Sequence, residues 1–195
     1  MKFEYEIGQT PIDANEAEGL ILPITTQAEL NQVEEQNIVA GRKWVLSKRI
    51  LNRFDPFSSA DIFELHKRML GDVWKWAGTI RLRDKNIGVP FYEIRTRLKD
   101  ALDDARYWME EKTYDVEEIA IRVHHRLVKI HLFANGNGRH ARMIADVIAV
   151  KKERQPLTWG SAMSRDAKQL RTEYIAALKK ADEGDYTDLL RFCRS

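Results

Sequence analysis

Residues 131–142 read His131-Leu132-Phe133-Ala134-Asn135-Gly136-Asn137-Gly138-Arg139-His140-Ala141-Arg142, between two stretches of strong helical periodicity. Asparagine and glycine alternate over residues 135–138. Both tolerate left-handed backbone, so successive N–H groups can face one concavity. A helix that begins directly after such a turn starts with N–H groups that have no carbonyl inside it, and with a partial positive charge. Turn and helix start together form an anion cradle. Arg139 and Arg142 stand three residues apart, on one helical face, and add two guanidinium forks of the kind a polyphosphate needs. His131 flanks the other side of the loop, where a group that titrates near neutrality can take a proton from an incoming hydroxyl. The segment lacks the spacing and the Lys-Ser/Thr ending of a P-loop. The competing reading is an ordinary helix-to-helix turn with solvated arginines. One histidine, two glycines, two asparagines and two arginines so close together favour the phosphate site.

Outward from this loop the pattern is helical. Upstream, Asp115 followed by Glu118 is a capping-box-like start. The apolar stripe Val116, Ile119, Ala120, Val123, Leu127 and Ile130 then runs into the loop. Downstream, a helix is predicted from about Gly138 to Lys152, another from Ser164 to near Gly184, and a short last one with Leu189, Leu190 and Phe192. Toward the N-terminus, Thr25 or Thr26 caps a helix to about Ser47. Ser58 or Ser59 starts one that stops at Leu70 before Gly71, and another spans Ile94 to Glu111. Between these last two, Gly78, Gly88 and Pro90 fall among β-forming Thr79, Ile80, Ile87, Val89, Phe91 and Tyr92, which predicts a short hairpin. Residues 1–24 read as an irregular arm. The expected class is all-α: a helical bundle with a small β-hairpin flap.

Composition narrows the function classes. Of 195 residues, 44% are hydrophobic and 32% charged, with a net charge of +2. That is enough apolar material for a core and too little charge bias to indicate nucleic acid or a membrane surface as partner. The single cysteine, Cys193, excludes a disulfide framework within the chain and suits a reducing compartment. Met1-Lys2-Phe3-Glu4-Tyr5-Glu6 lacks the apolar stretch of a secretory signal. No segment approaches the roughly 18 uninterrupted apolar residues of a membrane helix. A cytoplasmic protein is expected.

The 131–142 segment resembles the Fic signature, His-x-Phe-x-(Asp/Glu)-Gly-Asn-Gly-Arg-x-x-Arg. His131, Phe133, Gly136, Asn137, Gly138, Arg139 and Arg142 all match it. Leu127 and Trp76-Ala77-Gly78 also fit the family's layout, and the resemblance covers roughly residues 55–192. It implies an N-terminal arm and helix over residues 1–54 and a Fic-like catalytic domain over 55–195. The run Asn135 to Arg142 is also similar to a bacterial branch associated with mobile genetic elements, called mobile mystery protein B.

The resemblance implies transfer of a nucleoside monophosphate from a nucleoside triphosphate, with ATP as co-substrate and Mg²⁺, to a Ser, Thr or Tyr hydroxyl of a target protein. In that scheme His131 is the base. Gly136, Asn137 and Gly138 hold the α- and β-phosphates, and Arg139 and Arg142 clamp the outer phosphates. Phe133 is a core anchor. Asn86, Ile87, Gly88 and Val89 form a flap that pairs with an extended target segment. The family usually has Asp or Glu where this chain has Asn135, and a neutral amide is a poorer Mg²⁺ ligand. Leu132 replaces a frequent proline. Many relatives carry a self-inhibiting helix with Ser or Thr four residues before a Glu that precedes Gly or Asn, and a separate antitoxin protein is the other candidate silencing partner. Thr25 and Glu29 have that spacing, although Leu30 follows, so Glu29 is the candidate inhibitory residue. Glu183-Gly184 has the ending, but Lys179 stands where Ser or Thr should be. Two other functions remain open. Doc-type phosphotransferases carry Lys where Gly138 stands, and a non-catalytic nucleotide- or peptide-binding module would follow if Asn135 had silenced the metal site.

Other groups carry blander expectations. His124 and His125 lack ligand partners at helpful spacing for zinc and are expected to pack or hydrogen-bond on their helix. Trp74 and Trp76 are expected in the core. Arg81, Arg83 and Lys85 are expected on a solvated face near the flap.

Overall fold

The computed structural model describes residues 11–195. The run Met1 to Glu6 lies outside them. Nine α-helices are present among the described residues: α1 Ala14–Ala17, α2 Gln27–Leu46, α3 Lys48–Arg53, α4 Ser59–Leu70, α5 Ile94–Glu110, α6 Val116–Ile130, α7 Asn137–Lys151, α8 Ala167–Asp182 and α9 Thr187–Cys193. The all-α class follows. None of these helices is long and apolar enough to cross a membrane.

α7 is the central element. Ala141, Ile144, Ala145, Val147, Ile148 and Ala149 are all buried, so it is covered nearly all round. It packs on α6, which lies at the other end of the 131–136 loop and also packs on α5. The α6 stripe is buried at Ile119, Ala120, Val123, Leu127 and Ile130. α2 packs on α4, and both also touch α7. α8 packs on α9, and α9 reaches α6.

The caps explain where the sequence reading drifts. Thr26 caps α2, and its reciprocal partner is Glu29. Asp115 caps α6 by accepting the Glu118 N–H at 3.0 Å, but the Glu118 carboxylate turns to Arg122 instead of closing the box. Asp166, not Ser164, caps α8, because Gln169 sits three residues on and returns the bond. Ser47 ends α2 with extended backbone, and α3 follows it. The described part of the predicted arm, residues 11–24, carries regular structure. Asp13 and Glu16 box α1, Leu20 bridges Trp74, and the Ile21 N–H donates to the Val73 carbonyl.

The predicted hairpin is corrected. Residues 72–93 contain no strand pair. Ile80 instead bridges Phe133, the Arg81 N–H donates to the Leu132 carbonyl, and the Val89 N–H donates to the Ile130 carbonyl. The two limbs of the flap bind the loop rather than each other. The Arg81 side chain reaches carbonyls on both limbs, where a cross-limb ladder would otherwise stand.

Candidate active site

Local chemistry closes the loop. The Asn137 side chain is buried and accepts the Phe133 N–H at 2.9 Å while donating to the Phe133 carbonyl at 2.8 Å. Its amide is therefore a clamp on the loop. Gly136 has φ 77°, and a Cβ there would lie 2.5 Å from Leu70 Cδ1, so only glycine fits. His66 stacks on Phe133 at 3.7 Å between ring centroids. Its Nδ1 accepts the Gly78 N–H at 2.9 Å, which leaves Nε2–H to donate to the Asn135 carbonyl at 3.0 Å. Burial pushes its pKa well below the ordinary 6.5, so the ring is a neutral bridge between flap and loop.

The other side of the loop is open. The first intrahelical rung of α7 runs from the His140 N–H to the Gly136 carbonyl at 2.9 Å. The N–H groups of Asn137, Gly138 and Arg139 precede that rung. Nothing lies within 4 Å of where a Cβ would stand on Gly138. Three N–H groups thus lack a helical partner at this end of α7, and the space beside Gly138 is open.

His131 ends α6 in left-handed backbone at φ 58°, ψ 67° and is 4% exposed. Burial, then the charges of Arg81 and Lys85, bring its pKa down to about 4. It is neutral at physiological pH and able to accept a proton. Gly88 of the flap lies against it, and a Cβ on Gly88 would stand 2.6 Å from His131 Cβ. Asn86 and Ile87 are exposed at the flap tip and Val89 is half-buried. Arg81 and Lys85 depart from the expected solvated face. Arg81 is 4% exposed, and Lys85 is enclosed by Glu16 and the Pro11 carbonyl.

The two arginines have different partners. Arg139 Nη1 meets Glu34 Oε2 at 2.7 Å, and the other oxygen of that buried carboxylate accepts Trp74 Nε1–H at 2.6 Å. Arg142 lies over Tyr174 at 4.6 Å and Trp159 at 5.6 Å, and its buried Nε has no acceptor among the described residues. Asp146 accepts the Trp159 indole N–H at 3.0 Å and fixes that ring. Glu29, the candidate inhibitory residue, makes its hydrogen bonds within its own helix start. Its carboxylate is exposed and receives the Thr25 and Thr26 N–H groups at 3.1 Å each, as the cap of α2.

Asn135 Oδ1 accepts the Gly136 N–H at 2.6 Å. No group of three or more His, Cys, Asp or Glu side chains able to hold a metal occurs among the described residues. This neutral, locally engaged donor set does not fit a Mg²⁺ resident on the protein. His124 and His125 hydrogen-bond Tyr174 and Tyr186 at 2.8 Å each, and His140 meets the Ile62 carbonyl at 2.9 Å. Trp74 and Phe133 are in the core.

The geometry defines a helical protein with a buried histidine and a helix N-terminus at the two ends of one short loop. Residues 56–149 match the Fic/DOC family, and the chain carries a Fic/DOC family domain. It is similar to protein adenylyltransferase fic-1 of Caenorhabditis elegans, 29% identical over 89% of this chain and 33% of that protein. A solved C. elegans Fic-1 structure (residues 134–508) superposes with TM-score 0.64 at 29% identity, over 91% of this chain and 51% of that one. BepC of Bartonella tribocorum with bound AMPPNP shares the fold at TM-score 0.65 and 16% identity, over 93% of this chain and 97% of that one. The chain spans about a third of the length of the curated relative.

Four residues around this site escape the sequence reading. Glu34 and Asn37 interrupt the buried stripe of α2 between Leu30 and Val45, and a carboxylate in register with core positions was a usable signal. His66 likewise shares a face with Ile62 and Met69. Arg81 gave no such signal, because alternation puts Ile80 and Leu82 inside, whereas Leu82 is 76% exposed.

Proposed function

We propose that the chain transfers the nucleoside-monophosphate part of a nucleoside triphosphate, ATP in the first instance, to a Ser, Thr or Tyr hydroxyl of a target protein. The observation that carries this reading is a neutral, buried His131 on one flank of a loop whose other flank is the open N-terminus of α7. The hydroxyl oxygen attacks the α-phosphorus, its proton passes to His131, and the bond to the β-phosphate breaks to release pyrophosphate. The N–H groups of Asn137 and Gly138 receive phosphate oxygens, and Arg139 and Arg142 take the outer phosphates. The unsatisfied Nε of Arg142 supports an anion there. Mg²⁺ enters as the counter-ion of the nucleotide, held by its phosphates and water. Residues 86–89 receive an extended target segment beside His131.

Glu34, rather than Glu29, is the in-chain competitor of the nucleotide in this reading, since its carboxylate occupies Arg139. The finer assignments belong here too. Residues 1–54 would be an accessory arm and helix and 55–195 the catalytic domain. The run Asn135 to Arg142 supports the bacterial mobile-element branch. An antitoxin partner and a cytoplasmic setting accord with a toxin-like role, and burial pushes the one thiol, Cys193, up to about 12, which makes it inert. Incubation with labelled ATP tests the whole. Protein carrying α-phosphate label establishes the transfer, γ-label establishes phosphorylation instead, and binding without label leaves a module.

A further inference from the structure

We propose that Arg81 is the positioning residue of this site, a splint that makes the flap and His131 one mechanical unit; its effect on rate rests on the transfer reading above. The guanidinium reaches three stretches of chain at once. Nε donates to the His131 carbonyl at 2.7 Å, Nη1 to the Arg83 carbonyl at 2.8 Å, and Nη2 to the Val89 carbonyl, with a longer contact to the Ile130 carbonyl at 3.4 Å. The Ile130 and His131 carbonyls lie at the C-terminal end of α6, where carbonyls lack helical partners and the dipole favours a cation. The Arg83 and Val89 carbonyls lie on the two limbs of the flap. A planar fork with five N–H groups can span these acceptors; an ammonium cannot.

The bonding differs from a surface ion pair. The Arg81 side chain is 1% exposed, while the nearest carboxylate, Asp84, is 3.8 Å away and 64% exposed. A buried charge survives on hydrogen bonds, and here main-chain oxygens supply them. Their effect converges on the base. His131 is a non-glycine residue in left-handed backbone, a conformation that persists only where its surroundings enforce it. The Nε bond fixes its carbonyl, and Gly88, held on the same flap, abuts its Cβ. Arg81 and Lys85 are the described charges facing the ring. Glu16 and Asp13 offset Lys85, and Asp84 lies beside Arg81.

The test compares Arg81→Lys, Arg81→Met and Gly88→Ala with wild type in the full chain. ATP affinity is measured by titration, the rate with α-labelled ATP, amide exchange over residues 86–89 and 130–133, and the His131 ring pKa by NMR. Both Arg81 variants should keep ATP affinity within about twofold and lose rate on the order of 10²-fold, as expected of a misplaced reacting group. Exchange should rise in both segments together. The ring pKa should rise in Arg81→Met and stay near wild type in Arg81→Lys. Gly88→Ala, which pushes on the flap with Arg81 intact, should also loosen both segments at once. Full rate in Arg81→Lys, or faster exchange confined to residues 86–89 in either kind of variant, would overturn the proposal. If wild type transfers no label the transfer reading fails, while exchange and ring titration still decide the role of Arg81.

Discussion

The two flanks of the 131–142 loop are built on opposite terms. On the His131 flank the imidazole is buried, with the residue 4% exposed, its carbonyl is held by buried Arg81, and Gly88 closes over its Cβ. On the Arg139 flank the guanidinium is 41% exposed, and its described contact is one ion pair to Glu34. The first flank is fixed by hydrogen bonds that water cannot easily replace. The second is held by a charge pair that an incoming anion can exchange. Changes on the closed flank should therefore alter rate, and changes on the open flank should alter nucleotide affinity.

The largest break is His131→Ala. Removing the base should lower transfer by about 10²–10⁴-fold while ATP binding persists, as calorimetry would read. In wild type the base is already neutral well below pH 6.5, with a pKa of about 4, so kcat/KM should hold its level as pH falls from 7 to about 5. An acid limb near 6.5 would mean that the flank opens before chemistry.

Arg142→Ala should weaken ATP binding about tenfold or more and AMP binding far less, because a charge-assisted contact of roughly 1.5–3 kcal/mol is lost only where an outer phosphate is present. Equal losses for both nucleotides would remove Arg142 from the outer-phosphate role. Glu34→Gln keeps an acceptor for Trp74 and removes the competing charge. ATP affinity and transfer rate should rise about two- to fivefold, the worth of a partly exposed ion pair. Glu29→Gly should lower the melting temperature and leave the rate as it is, since its carboxylate caps α2. The reverse pattern would return the inhibitory role to Glu29. The smallest effect is expected from Asn135→Asp, which should lower the Mg²⁺ concentration for half-maximal rate, a carboxylate being the better ligand.

The helices were legible because their signals are local: Thr26, Ser58 and Asp115 sit at the N-caps of α2, α4 and α6, and apolar stripes follow them. The loop was legible because glycine, asparagine and arginine at short spacing have few other uses. The flap was misread because its residues favour strands, while what organises them is a side chain. Arg81 satisfies carbonyls 2, 8, 49 and 50 residues away, and no window of sequence contains them all. Glu34 was missed for a related reason. Its register with Leu30 and Val45 signals burial, but the partners that make burial possible, Trp74 and Arg139, lie 40 and 105 residues on.

Each arginine of the loop has an indole in its surroundings. Trp74 donates to the carboxylate that holds Arg139, and Trp159 lies beneath the guanidinium of Arg142. Indole emission responds to nearby charge and to loss of a hydrogen bond, so two of the chain's five tryptophans stand where each can sense one of these arginines. With Trp44, Trp76 and Trp108 replaced by phenylalanine, further replacement of Trp74 or Trp159 leaves one indole beside one arginine, and the order in which the two arginines change partners can then be timed by stopped flow without any attached dye.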